Sequence, residues 1–138
     1  MKILVDTGVW SEALRRKSKE NEVSHVATTL IELIEEQRVE IIGPIRQELL
    51  SGIRIKHHYL ALRDKLRNFT DIILLSRDYE RAAEMSNICR SEGIQGSPTD
   101  FLICSVSERH HLSIFTMDRD FSHYAKHLPI LLFPPQAI

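Results

Sequence analysis

The sequence predicts an α/β fold built on a mainly parallel sheet with helices on both faces. Two observations carry this reading. Short apolar runs of strand length alternate along the chain with longer segments of helical periodicity, which is the pattern of successive β-α units. Acidic residues also recur where a strand hands over to a helix: Asp6, Glu48, Asp100 and Asp118. In a parallel sheet such transitions share one edge, so carboxylates far apart in sequence can converge there.

The elements follow in order. Lys2 to Val5 reads as a buried strand ended by Asp6, and a short helix is expected around Val9 to Arg16. Arg15, Arg16, Lys17, Ser18 and Lys19 make a solvated basic stretch. Val23, Val26, Ala27, Leu30, Ile31 and Ile34 recur at helical spacing, with Glu32, Glu35 and Glu36 opposite them. Val39 to Ile42 is a second strand. Pro44 suits the first turn of the next helix, where its missing N–H leaves no hydrogen bond unmade. Ile53 to Phe69 reads as a polar helix or helix pair, and Asp71 to Leu75 as a third strand. A helix capped by Ser76 or Asp78 should run to about Arg90, with Tyr79, Ala82, Ala83, Ser86 and Cys89 on one face. Gly93 suits the left-handed position beyond it. Gly96-Ser97-Pro98 opens a helix reaching His110 or His111. A fourth strand covers Ser113 to Met117, a short helix runs from about Asp118 to His127, and Pro129 to Phe133 forms a final strand. Pro134-Pro135 stops the fold. Strand order is open.

The bulk properties suit one domain over 1–138. A chain of 138 residues can bury a substantial core. Its formal net charge of −1 gives no global field toward nucleic acid or anionic membranes, so any basic surface must be local. Cys89 and Cys104 lack CxxC spacing and lie in helical patterns. They read as buried thiols of a reducing, cytoplasmic compartment, not as a disulfide or zinc site. No apolar stretch approaches the roughly 18 residues of a membrane span, and the first apolar run breaks at Asp6, too early for a signal sequence.

Taken singly, the acids have ordinary explanations. Asp6 and Asp118 can cap helices, and Ser97-Pro98-Thr99-Asp100 fits a capping box in which Asp100 reaches back to the Ser97 backbone. Glu48 resists that account: beside Ile45, Leu49 and Gly52 at helical spacing it borders an apolar stripe. Asp100 shares a face with Ile103 and Cys104. Charges at a core edge need partners, and a shared Mg²⁺ or Mn²⁺ would satisfy four carboxylates at once. Divalent ions in such a site can activate water and stabilise the oxygens of a phosphodiester displacement. Phosphoryl hydrolysis is therefore the expected reaction class. A receiver domain is disfavoured because no acidic pair follows the first strand. Asp6-Thr7-Gly8 lacks the second aspartate of a DxD phosphatase, and no GxGxxG follows that strand. His123 and His127 stand four apart, but Tyr124 follows His123 where a zinc protease needs glutamate.

Met1-Lys2-Ile3-Leu4-Val5-Asp6-Thr7-Gly8-Val9-Trp10, Gln47-Glu48-Leu49-Leu50, Ser97-Pro98-Thr99-Asp100-Phe101-Leu102-Ile103 and Thr116-Met117-Asp118-Arg119-Asp120-Phe121 together resemble a PIN domain of the VapC toxin type. The likeness spans nearly the whole chain. It implies a three-layer α/β/α sandwich, metal-dependent RNA cleavage and pairing with a VapB-type antitoxin. It also implies that Asp6, Glu48, Asp100 and Asp118 ligate Mg²⁺ or Mn²⁺ directly or through water. Asp120 would be an auxiliary acid, with Thr7 and Thr116 supporting the loop. Gly8 departs from the family's usual Ser or Asn, which weakens the polar surroundings of the metal. The competing expectation is therefore an inactive PIN-like module that only binds protein. Arg15 and Arg16, and Arg54 and Lys56 within a second basic run, are candidate RNA contacts. Trp10, Leu14 and the Val23 to Ile34 helix are a candidate surface for an antitoxin or a second copy, and a homodimer is expected.

Overall fold

The computed structural model describes residues 1–14 and 24–134. Within them β1 (Ile3–Val5), β2 (Val39–Ile42), β3 (Asp71–Ile72), β4 (Ser113–Phe115) and β5 (Leu131–Phe133) form one sheet in the order β3-β2-β1-β4-β5. Every neighbouring pair is parallel. The helices are α1 (Thr7–Leu14), α2 (His25–Glu35), α3 (Gly43–Leu50), α4 (Lys56–Leu66), α5 (Ser76–Ser91), α6 (Pro98–His110) and α7 (Asp120–Tyr124). The result is the α/β/α sandwich that the alternation predicts.

Its centre is apolar on both faces. Ile3, Leu4, Val5, Ile41, Ile42 and Ile114 are fully buried, as strands covered on two sides require. α6 is the most enclosed helix, with Phe101 through Ser107 all buried. Cys89 and Cys104 are buried free thiols. Burial, with smaller effects from the charges of Asp100 and Asp6, pushes the Cys104 thiol up, so it stays protonated. No helix among the described residues is long and apolar enough to cross a membrane.

Several elements differ from expectation. The third strand ends at Ile72, and Ile73 and Leu75 are exposed; the strand lies at the sheet edge, where pairing on one side only holds few residues. The last strand begins at Leu131, and α7 is confined to Asp120–Tyr124. α2 buries Ala27, Leu30 and Leu33 and turns Ile31 outward. The part of that helix placed at Val23, like Lys17 and Lys19, lies outside the described residues. Trp10 is core: it is 2% exposed and packs edge-on against Phe69 at 5.2 Å. It is therefore not part of a docking surface. α5 buries Asp78, Ala82, Met85 and Cys89, while Tyr79 points out.

The buried charge explains that rotation. Asp78 is 1% exposed and receives Arg109 Nε (2.6 Å) and Nη2 (2.7 Å) on its two oxygens, together with the Leu75 N–H at 2.8 Å. Burial alone would raise its pKa. The Arg109 and Leu75 hydrogen bonds and the charges of Arg109 and Arg77 outweigh it and hold the carboxyl below the usual range. Arg81 to Glu108 (2.8 Å) is a second clasp between α5 and α6.

Candidate active site

The strand order changes direction between β1 and β4, the position where open α/β sheets bind ligands beyond the carboxyl ends of their strands. Pairing of Val5 with Phe115 sets those two ends side by side, and the Asp6 N–H donates to the Phe115 carbonyl at 2.9 Å. Asp6 is 9% exposed and accepts one hydrogen bond on each oxygen. The Thr7 N–H donates to Oδ1 (2.7 Å) and the Thr116 hydroxyl to Oδ2 (2.8 Å).

The same two threonines extend the network in both directions. Thr7 Oγ1 donates to Glu48 Oε1 at 2.7 Å, joining α1 to α3. Thr116 Oγ1 accepts from the Asp118 N–H at 3.0 Å, and Asp118 Oδ1 accepts from the Asp120 N–H at 2.9 Å. A hydrogen-bonded string thus runs from Glu48 through Thr7, Asp6 and Thr116 to Asp118 and Asp120. The string explains Glu48's placement at the rim of its helix.

Asp100 arrives differently. It follows α5, not a strand, so the expected strand-to-helix handover is incorrect here. α6 instead precedes β4, packs on it and starts over its carboxyl end. Ser97 Oγ caps α6 by accepting from the Asp100 N–H at 3.1 Å. The other half of the expected capping box is absent: Asp100 Oδ2 accepts from the Tyr124 hydroxyl at 2.7 Å. Tyr124 is fully buried, and a buried phenol needs a partner more than an exposed backbone N–H does.

Electrostatics connect the acids that hydrogen bonds do not. Burial, foremost, raises the Asp6 pKa; the bonds from Thr116 and Thr7 oppose it, and the charges of Asp100 and Asp118 add to it. Tyr124 is likewise pushed up by burial, by its bond to Asp100 and by the charges of Asp100, Asp120 and Asp118, so its hydroxyl remains a donor. Asp6, Asp100 and Asp118 therefore share one negative field, and among the described residues no Lys or Arg forms an ion pair with them or with Glu48.

Among the described residues no three His, Cys, Asp or Glu side chains are gathered closely enough to hold an ion as they stand. The donor set nonetheless fits a hard divalent cation. It is all oxygen and, among the described residues, has no ion pair with a Lys or Arg. Glu48, Asp100 and Asp118 are each held by one oxygen, and the other takes no hydrogen bond from a described residue. Oxygen-rich acidic sets of this kind suit hard divalent ions.

The remaining candidates are placed as follows. Arg54 is exposed in the loop between α3 and α4, and Lys56 is exposed at the start of α4. Arg15 and Arg16 lie outside the described residues. Gly8 sits exposed in α1, and a Cβ there would meet nothing within 4 Å, so a side chain could be added without steric conflict. His123 and His127 are exposed. Tyr124 joins the site without any sequence pattern to mark it: its partner lies 24 positions away, and no spacing relates the two.

A PIN domain family profile matches residues 3–127. No curated protein sequence matches the chain. Among solved structures, the fold is similar to the crystal structure of FitAcB from Neisseria gonorrhoeae, at 22% identity over 99% of this chain and 99% of that one, with a TM-score of 0.74. It is also similar to VapBC2 from Rickettsia felis bound to a DNA fragment from their promoter, at 17% identity over 96% of each chain and a TM-score of 0.72. A toxin–antitoxin complex from Klebsiella pneumoniae is similar at 17% identity over 88% of this chain and 91% of that one, TM-score 0.67. At these identities the likeness is one of fold.

Proposed function

We propose, from the premise that the chain belongs to the PIN domain family, that it is a single-domain, Mg²⁺- or Mn²⁺-dependent endoribonuclease and the toxin of a VapBC-type pair. The observation that carries this reading is the hydrogen-bonded string of acids at the β1–β4 switch point, with Asp100 beside it. Asp6, Glu48, Asp100 and Asp118 would hold the ion. When bound, a divalent ion would neutralise the carboxylates, activate water and stabilise a phosphate under attack.

The chain's own residues prepare that chemistry. Asp6 is fixed on both oxygens and cannot swing away. Thr7 holds Glu48, Thr116 sets the turn that carries Asp118, and Asp120 donates its backbone N–H to Asp118. Supporting donors of this sort orient ligands and tune their affinity. The partner suggested by the similar folds is a VapB-type antitoxin, and a homodimer completes the proposal. An inactive protein-binding module is the second reading, favoured by the missing side chain at Gly8.

Sequencing RNA ends after pulsed expression tests the first reading. New ends should appear with the wild-type chain and vanish with Asp100→Asn. Identical ends in both would remove the nuclease assignment and favour the binding module.

Arg54 and Lys56 are exposed and have no ion pair among the described residues, whereas Arg63 and Arg67 lean on Asp64. Glu at both 54 and 56 should weaken RNA binding and flatten its salt dependence by roughly 0.7 in slope per lost phosphate contact. Fluorescence anisotropy across a salt series measures this. An unchanged slope would take these two residues out of the RNA surface.

A further inference from the structure

We infer that Tyr124 is a positioning residue for the metal site, acting through Asp100, and that Gly96 is the space its hydroxyl occupies. The inference rests on the proposed nuclease reading and extends it to two residues outside the acidic set.

Three observations converge. The Tyr124 hydroxyl donates to Asp100 Oδ2 at 2.7 Å, across 24 positions of sequence. The ring is fully buried and wedged between Phe101, at 5.0 Å, and Phe121, at 5.1 Å, so it cannot turn away without opening the core. The approach is also tight: a Cβ at Gly96 would collide with Tyr124 Oη, lie 2.8 Å from its Cζ and 3.0 Å from Phe101 Cε2. Gly96 immediately precedes Ser97, the cap of the helix that carries Asp100.

The consequence is geometric. Asp100 is half-buried on the first turn of α6, where its side chain would otherwise choose among rotamers. One donor on Oδ2 fixes the carboxylate plane and leaves Oδ1 as the oxygen open to a ligand. The donor comes from α7, whose Asp120 N–H also holds Asp118. A single short helix thereby sets two acids at once. A tyrosine hydroxyl is neutral, so it orients Asp100 without cancelling the charge that a cation would meet.

Tyr124→Phe removes only the oxygen and keeps the ring packing. By calorimetry its Mn²⁺ dissociation constant should rise about tenfold, the lower end of the range for lost supporting hydrogen bonds. Cleavage at limiting Mn²⁺ should fall in step and recover toward the wild-type kcat at saturating Mn²⁺, with KM for RNA unchanged. Gly96→Ala should also weaken Mn²⁺ binding, and less so in the Tyr124→Phe background, because the displaced hydroxyl is already gone. A purely structural role would lower the melting temperature and leave the dissociation constant alone. Wild-type Mn²⁺ affinity in Tyr124→Phe, with Asp100→Asn binding weakly, overturns the role of Tyr124 and leaves the nuclease reading standing. A wild-type chain that neither binds Mn²⁺ nor cleaves RNA overturns both.

Discussion

On the proposed nuclease reading, asparagine at position 6 should lower RNA cleavage by at least about 100-fold, some 2.7 kcal/mol of barrier, while leaving the metal-free fold as stable as before or more so. The two effects have one origin. Asp6 lies where burial and the charges of Asp100 and Asp118 outweigh the hydrogen bonds from Thr7 and Thr116, so its pKa is raised. A raised acid binds its proton more tightly in the folded state. Its stabilising contribution is complete below the ordinary value of 3.8 and is lost as pH rises through the folded value. At neutral pH the bare carboxylate therefore costs stability, and that strain is what a bound cation would relieve. Asparagine keeps the shape, accepts the Thr7 N–H and removes the charge. Urea denaturation in EDTA from about pH 3 to pH 7 should show the variant and wild type diverging as pH rises through that window. Cleavage at the wild-type rate by Asp6→Asn would place the chemistry elsewhere on the molecule.

Alanine at position 78 should remove about 3–5 kcal/mol of folding stability, the usual cost of stranding one member of a buried ion pair. Against a total of about 5–15 kcal/mol for a domain, that loss is large enough to threaten folding. Arg109 cannot shed its charge, and its side chain is only 22% exposed. Without Asp78 it loses both short hydrogen bonds, and the Leu75 N–H loses its acceptor at the start of α5. The pH dependence has the opposite sign to that of Asp6. Asp78 is depressed, so its contribution is present above 3.8 and is lost as pH falls through its lower folded value. The midpoint of urea unfolding reports the loss directly; a decrease under about 1 kcal/mol would mean that the pair is relaxed and solvated.

Much of the candidate site is legible in the sequence. Asp6 and Asp118 follow short apolar runs of strand length, and Glu48 sits at the margin of an apolar helical stripe without a local counter-ion. Those are short-range patterns, and side-chain periodicity reports them. The buried thiols follow from the same logic, since Cys89 and Cys104 fall on helical apolar positions. Asp100 is marked by sharing a helical face with Ile103 and Cys104; its cap pattern is half realised, since Ser97 caps the helix while the Asp100 carboxylate turns to Tyr124.

What the amino-acid order determined on its own was the kind of layer each segment joins and the set of acids able to meet at one edge. Periodicity of burial is local, so it survives without knowledge of neighbours. Tertiary structure alone decided the order β3-β2-β1-β4-β5, the meeting of Asp6 with Thr116, the bond from Tyr124 to Asp100 and the clasp of Arg109 on Asp78. Each of these is a contact between segments distant along the chain. The sequence encodes them only through the summed packing of the core, and no single stretch carries their signature.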